Sequence, residues 1–158
     1  ALRRRGWELP EEAVVRGLEQ ARWPGRMELV RRAPDVILDG AHNPQCMEAL
    51  ARALRGLYPG KKPVFLAGVL ADKDWPAMLE ELLPLAQACF TLTPDSPRAL
   101  PAGTLAEYLT GRSVQAVPCG GLREGLDRAL AAAGPEGVVC VCGSLFMIGE
   151  ARHLLGLC

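Results

Sequence analysis

Residues 34–44 have the sequence Pro34-Asp35-Val36-Ile37-Leu38-Asp39-Gly40-Ala41-His42-Asn43-Pro44. The apolar, largely β-branched run at 36–38 is typical of a strand covered on both faces of a sheet. Gly40 permits a sharp turn after that strand. Asn43 is a favourable N-cap, and Pro44 suits the first helical position, where its missing N–H is not needed. The stretch therefore predicts a short buried strand, a tight turn and the start of a helix.

The same alternation of strand and helix continues along the chain. Strands are predicted at residues 27–31, 36–38, 64–69, 89–93, 114–117 and 138–142, and helices at residues 10–21, 44–57, 75–86, near 104–109, 122–133 and 145–155. Regular alternation with short connections implies parallel strands joined by right-handed crossovers. We therefore expect an α/β fold: a Rossmann-like, open, mostly parallel sheet with helices on both faces and one antiparallel edge strand.

The composition indicates one domain of an ordinary globular protein. Of the 158 residues, 49% are hydrophobic and 23% are charged, which is enough to bury a core. The 18 basic residues balance the 18 acidic ones, so no net field favours nucleic acid or an anionic membrane. The most apolar stretch, residues 138–148, is too short to span a bilayer. We expect a cytoplasmic protein with neither nucleic acid nor a membrane among its partners.

The sequence contains six cysteines: Cys46, Cys89, Cys119, Cys140, Cys142 and Cys158. None forms a Cys-x-x-Cys pair, so the sequence predicts neither a zinc site nor a disulfide scaffold. This usage suits a reducing compartment. We expect Cys140 and Cys142 to act as small hydrophobic residues on opposite faces of a buried strand.

Three well-known motifs of α/β enzymes are missing from the sequence. No Gly-x-Gly-x-x-Gly follows a predicted strand, and neither Gly-x-x-x-x-Gly-Lys-Ser/Thr nor Gly-x-Ser-x-Gly occurs. The chain by itself therefore offers no phosphate-binding loop of these kinds and no nucleophile elbow.

Asp39 and His42 directly follow the strand predicted at 36–38. In an open parallel sheet, ligands bind just beyond the carboxyl ends of the strands, so both residues are candidates for a functional site. The alternative is that Asp-Gly and Asn-Pro are ordinary turn dipeptides here and that the histidine is a solvated loop residue.

Lys73 lies between Asp72 and Asp74, after the strand predicted at 64–69. An ammonium group between carboxylates could anchor an anionic substrate. Alternatively, Asp74 caps the helix that begins at Trp75, and Lys73 is a surface charge.

Ser144 and Arg26 are the remaining candidates. Ser144 follows a buried strand and can cap the next helix, whose N-terminal N–H groups would face a carboxylate or phosphate. Capping alone would also explain the serine. Arg26 could hold a phosphate through its planar guanidinium, although most arginines at such junctions are simply exposed.

Four segments, in order, resemble the C-terminal domain of the bifunctional dihydrofolate synthase/folylpolyglutamate synthases of the muramyl-ligase superfamily. They are Trp23-Pro24-Gly25-Arg26-Met27, Leu38-Asp39-Gly40-Ala41-His42-Asn43-Pro44, the loop from Gly68 to Asp74, and Gly143-Ser144-Leu145-Phe146. The resemblance covers essentially the whole chain. The family often has tyrosine where this chain has Phe146.

The resemblance implies an enzyme that uses ATP to phosphorylate a pteroate or folate carboxylate and then joins it to the amine of L-glutamate. In this family the N-terminal domain of the same polypeptide carries the phosphate loop, the Mg²⁺ ligands and most of the folate site. By the same resemblance, Arg26 and Asp39 contact the nucleotide and His42 and Ser144 lie at the incoming glutamate. Lys73 is a further candidate for a glutamate carboxylate.

The domain organisation implied by the resemblance divides the chain at its first strand. Residues 1–23 would be the end of the N-terminal domain or a linker helix, and residues 24–158 the C-terminal domain. Because the chain lacks a phosphate loop and magnesium ligands, we expect it to be inactive alone. The alternatives are a stand-alone nucleotide- or amino-acid-binding module, a muramyl peptide ligase C-terminal domain, and a purely structural interaction domain.

Overall fold

The computed structural model describes residues 2–157 and contains one six-stranded sheet with helices on both faces. The strands are β1 (Glu28–Arg31), β2 (Asp35–Leu38), β3 (Val64–Ala67), β4 (Ala88–Thr91), β5 (Ala116–Pro118) and β6 (Val138–Cys142). The α-helices are α1 (Glu11–Gln20), α2 (Pro44–Leu57), α3 (Trp75–Glu80), α4 (Ala102–Thr110), α5 (Leu122–Ala133) and α6 (Leu145–Leu154), with 3₁₀ turns at Arg3–Arg5 and Leu83–Leu85.

The strand order is β1-β2-β6-β3-β4-β5. Edge strand β1 runs antiparallel to β2, and the other neighbouring strands are parallel. The predicted fold class is therefore confirmed, including its antiparallel edge. Because the last strand, β6, lies between β2 and β3, the carboxyl ends of these three strands meet at one edge of the sheet. Leu38 pairs with Val141, and Ala67 pairs with Cys142.

Two hydrophobic layers cover the two faces of the sheet. Helices α2, α3 and α4 pack on one face, and α5 and α6 pack on the other. In β6, Cys140 and Cys142 both belong to the first layer, whereas Val139 and Val141 belong to the second. The expectation that the two cysteines point to opposite faces is wrong, because side chains two residues apart on a strand share a face. The five cysteines within residues 2–157 are free, and Cys158 lies outside the described residues.

Local signals determine most of the helix boundaries. Helices α2 and α5 have their predicted bounds, and the Asn43 side chain caps α2 by accepting the Cys46 N–H at 2.8 Å. The helix predicted at 75–86 is an exception, because α3 ends at Glu80 and is followed by a 3₁₀ turn. Pro84 has no N–H to donate to the Glu80 carbonyl, so the α-helical pattern cannot continue through it.

Helix α1 lies outside both layers. All ten of its residues are exposed, including Val14, Val15 and Leu18, and Trp7 and Trp23 on either side of it are exposed as well. This is an apolar surface that the described residues leave uncovered. Within residues 2–157, no helix is long and apolar enough to cross a membrane.

Candidate functional site

Asp39 directly follows β2 and is only 7% exposed. Its Oδ1 accepts the Ala41 N–H at 2.8 Å, and its Oδ2 accepts the Met27 N–H at 2.8 Å. Met27 has a φ of 43°, in the left-handed region that non-glycine residues seldom adopt. The carboxylate thus holds both its own turn and the start of β1, while each oxygen keeps a lone pair for another donor.

Gly40 is closely approached by two neighbouring side chains and does not have a left-handed backbone conformation. A Cβ at this position would overlap the side chain of Leu145 and the guanidinium of Arg26, whereas its φ lies outside the left-handed region. The exposed Arg26 side chain therefore lies directly over the turn that follows β2. Its Nη1 is 3.5 Å from the Gly25 carbonyl oxygen, a distance too long for a strong bond.

Arg26 and Asp39 line the same cavity of about 280 Å³. The rest of its lining is mostly apolar: Met27, Ala41, Cys46, Ala49 and Leu50. A cavity lined by a guanidinium, a carboxylate and mostly apolar side chains can bind a ligand that has a flat apolar part and polar or anionic substituents.

His42 is half-buried, and its Nδ1 lies 2.8 Å from the Gly40 carbonyl oxygen. A carbonyl oxygen only accepts, so the contact is a hydrogen bond when Nδ1 carries the proton. In the neutral ring this leaves Nε2 as an acceptor. The histidine is therefore oriented by its own turn and is not a freely rotating loop residue.

A second cavity, of about 190 Å³, brings together His42, Lys73 and Ser144. These residues come from three separate chain segments, at the carboxyl ends of β2, β3 and β6. The remaining lining residues are Leu70, Arg98, Gly143, Leu145 and Phe146. The lining contains two cationic side chains, Lys73 and Arg98, and Arg98 also pairs with Asp72. This arrangement suits a ligand with more than one carboxylate.

Ser144 caps α6: its Oγ accepts the Phe146 N–H at 3.3 Å, and the residue is 2% exposed. The capping interpretation is therefore confirmed. It does not exclude a second role, because the hydroxyl hydrogen is a donor that the capping bond does not use.

Asp74 caps α3 by accepting the Ala77 N–H at 3.3 Å, as the alternative interpretation of this loop predicted. Lys73 is half-buried and lines the second cavity. Its role as an anchor for an anionic substrate stays a prediction.

Arg98 lines the second cavity and was not among the sequence candidates. Its Nη1 donates to Asp72 at 2.7 Å, and its carbonyl accepts the Ala71 N–H at 2.7 Å. Leu70 and Ala99 form an isolated antiparallel bridge beside it. The signal in the sequence is an arginine in the loop after a parallel strand, but only the bridge between two loops brings it to the cavity.

Within residues 2–157, no group of three or more His, Cys, Asp or Glu side chains is arranged to hold a metal ion.

Comparison with known proteins gives a consistent result. Residues 25–145 match the family model of the Mur ligase glutamate ligase domain. The chain is 32% identical over 154 residues to the folylpolyglutamate synthase of Lacticaseibacillus casei, covering 94% of this chain and 33% of that protein.

Two solved structures illustrate the structural similarity. E. coli FolC in complex with DHPP and ADP has a TM-score of 0.88 and 30% identity, covering 99% of this chain and 37% of that one. A bifunctional folylpolyglutamate synthase/dihydrofolate synthase with Mn, AMPPNP and L-glutamate bound has a TM-score of 0.82 and 32% identity, covering 96% and 36%. The chain spans about a third of the length of the relatives that it matches.

Proposed function

The chain belongs to the Mur ligase family, whose glutamate ligase domain matches residues 25–145, and from this premise we propose a specific ligase activity. The chain forms the C-terminal domain of an ATP-dependent ligase that adds L-glutamate to dihydropteroate or folate through an acyl phosphate. Residues 24–158 constitute this domain, and residues 1–23 are the end of the preceding domain or a linker helix.

One observation carries the proposal: a single turn after β2 contributes to two neighbouring cavities. Asp39 lines the first cavity together with Arg26, and His42 lines the second together with Lys73 and Ser144. A ligase must hold a nucleotide and an incoming amino acid side by side, and this turn supports such an arrangement.

The first cavity fits a nucleotide. Its apolar wall suits a base, the Arg26 guanidinium suits a phosphate, and Asp39 retains acceptor capacity for a hydroxyl. ATP supplies the phosphoryl group that activates the carboxylate substrate. The role of this chain is to bind and orient the nucleotide, because most of the rate enhancement in phosphoryl transfer comes from positioning and charge neutralisation.

The second cavity fits L-glutamate, which carries two carboxylates and one amine. Lys73 and Arg98 complement the carboxylates, and the Ser144 hydroxyl can donate to one of them. Because Nδ1 of His42 faces the Gly40 carbonyl, its Nε2 is available to accept a hydrogen bond from the amine. The histidine would thereby orient the nucleophile toward the activated carboxyl group.

The remaining parts of the enzyme are assigned to the N-terminal domain of the same polypeptide. That domain would carry the phosphate loop, the Mg²⁺ ligands and most of the pteroate or folate site. The exposed apolar surface of α1 and Trp23 is available to contact it. Closure of one domain on the other would keep water from the acyl phosphate, which hydrolyses readily.

The decisive experiment uses the full-length gene, read upstream of the codon for Ala1. An upstream frame with Gly-x-x-x-x-Gly-Lys-Ser/Thr between a strand and a helix supports the ligase. The purified protein is then assayed with ATP, Mg²⁺, L-glutamate and either dihydropteroate or tetrahydrofolate, following ADP release and the mass of the glutamylated product.

Two of the alternatives predict other results when a UDP-muramyl peptide is included among the substrates. Ligation to a UDP-muramyl peptide but not to a pteroate would assign the chain to the muramyl branch. ATP or glutamate affinity of the 158-residue chain alone, without ligation by the full-length protein, would favour a stand-alone binding module.

A further inference from the structure

The segment that carries Arg26 is held in place from both sides. The Gly25 N–H donates to Glu28 Oε2 at 2.7 Å, and the Gly25 carbonyl accepts the Gly40 N–H at 2.7 Å. The Met27 N–H donates to Asp39. The backbone on either side of Arg26 is thus fixed, although its own side chain is exposed.

Glu28 connects this segment to helix α6. Its Oε1 accepts a hydrogen bond from Arg152 Nη1, and Arg152 Nη2 also donates to the Leu157 carbonyl at 2.6 Å. The Glu28 and Arg152 side chains are only 24% and 19% exposed, so this pair is shielded from solvent far more than a surface ion pair. Burial by itself would raise the pKa of Glu28, but the hydrogen bonds from Arg152 and the Gly25 backbone hold that pKa below its usual value.

Gly25 also packs tightly against the same helix. It has a φ of 68°, and a Cβ on it would lie 2.6 Å from Cγ2 of Ile148. The first turn of α6, with Ser144, lines the second cavity, while its last turn carries Arg152. One helix therefore contacts both the glutamate cavity and the segment that precedes Arg26.

We propose that Glu28 is a positioning residue for Arg26 in nucleotide binding, and that Arg152 acts through Glu28. This inference rests on the proposed function, because it takes Arg26 to be a nucleotide contact. Glu28 lines neither the first nor the second cavity. Glu28 holds the Gly25 backbone in place. It thereby keeps the backbone of Arg26 at a fixed distance from the turn that contains Asp39.

Two measurements test the proposal with the variant Glu28→Ala. In the 158-residue chain, NMR hydrogen exchange of the Gly25 and Gly40 amides should speed up by about tenfold or more, as the loss of a hydrogen bond implies. In the full-length ligase, the KM for ATP should rise on the order of 10- to 100-fold, because a small misplacement of a binding group is costly. The KM for L-glutamate should change less than about twofold.

Glu124 provides a control of the same residue type at a more exposed site. It accepts the Gly120 N–H at 2.8 Å and pairs with Arg128 at 3.1 Å, which are the same two kinds of bond on helix α5, away from both cavities. Glu124→Ala should therefore leave the KM for ATP unchanged. Adding Arg152→Met to the Glu28→Ala variant should cause little further increase in the KM for ATP, because Arg152 acts through Glu28.

The outcomes separate this inference from the function on which it rests. If the wild-type enzyme ligates glutamate and Glu28→Ala has the same KM for ATP, the positioning role is overturned and the proposed function stays intact. Equal increases in the KM values for ATP and L-glutamate in Glu28→Ala would indicate a purely structural role for Glu28 and would also overturn the positioning role. A full-length wild type with no ATP-dependent glutamate ligation would overturn the proposed function, and this inference with it.

Discussion

Replacing Asp39 by alanine should destabilise the chain as well as impair nucleotide binding. Both carboxylate oxygens accept backbone N–H groups at 2.8 Å, and the residue is 7% exposed. Hydrogen bonds to charged groups contribute about 1.5–3 kcal/mol each, and two coupled bonds give a loss of about 3 kcal/mol in the free energy of unfolding. For a chain of this size that corresponds to a fall in Tm of roughly 6–12 °C.

Urea denaturation of the 158-residue chain measures this loss directly. Asp39→Asn should lose roughly half as much, about 1.5 kcal/mol, because the amide oxygen still accepts one N–H while its NH₂ group faces the other. The control is Glu48→Ala, which breaks an exposed pair with Arg52 at 2.9 Å and should cost less than about 0.5 kcal/mol. If Asp39→Ala unfolds with the same free energy as this control, the carboxylate does not hold the two backbone segments together.

Three further predictions concern other residues. In the full-length ligase, His42→Ala should lower kcat/KM for L-glutamate on the order of 100-fold with little change in Tm, and near-normal turnover would remove His42 from the site. Arg98→Met should raise the KM for L-glutamate about tenfold, as for a lost charge-assisted bond, and leave the KM for ATP unchanged; equal changes in both would contradict its assignment. Burial, together with the hydrogen bond to Asp35, raises the pKa of Tyr58 to about 12 from its ordinary value near 10. Its contribution to stability should therefore be complete below pH 10 and fade as the pH rises toward 12, and ultraviolet titration should lose this high transition in Tyr58→Phe.

The helix starts could be predicted because the interactions that set them are local. Asn43, Asp74 and Ser144 each cap a helix by bonding an N–H two or three residues ahead. Such bonds depend on residue type and spacing alone, both of which can be read directly from the chain. The strands were likewise predicted from short apolar runs bounded by turn residues, with boundary differences of one or two residues.

Only some residues of the candidate site could be predicted from the sequence. The rule that ligands bind beyond the carboxyl ends of parallel strands identified Asp39, His42, Lys73 and Ser144 as candidates. Arg98 was missed because its relevance depends on a bridge between the loops after β3 and β4. The role of Gly40 was also misjudged, since the approach of Arg26 and Leu145 to its backbone is a tertiary contact.

The sequence by itself determined the α/β class, the helix caps and the residue types available at the strand ends, because these follow from periodicity and from contacts within a few residues. The tertiary structure alone decided that β6 lies between β2 and β3, and that residues of the turn after β2 contribute to two cavities. It also decided that Glu28 meets Arg152, 124 residues away. Hydrophobic patterning predicts which residues are buried but not which strands are neighbours. Contacts between distant segments can therefore be identified only from the tertiary structure.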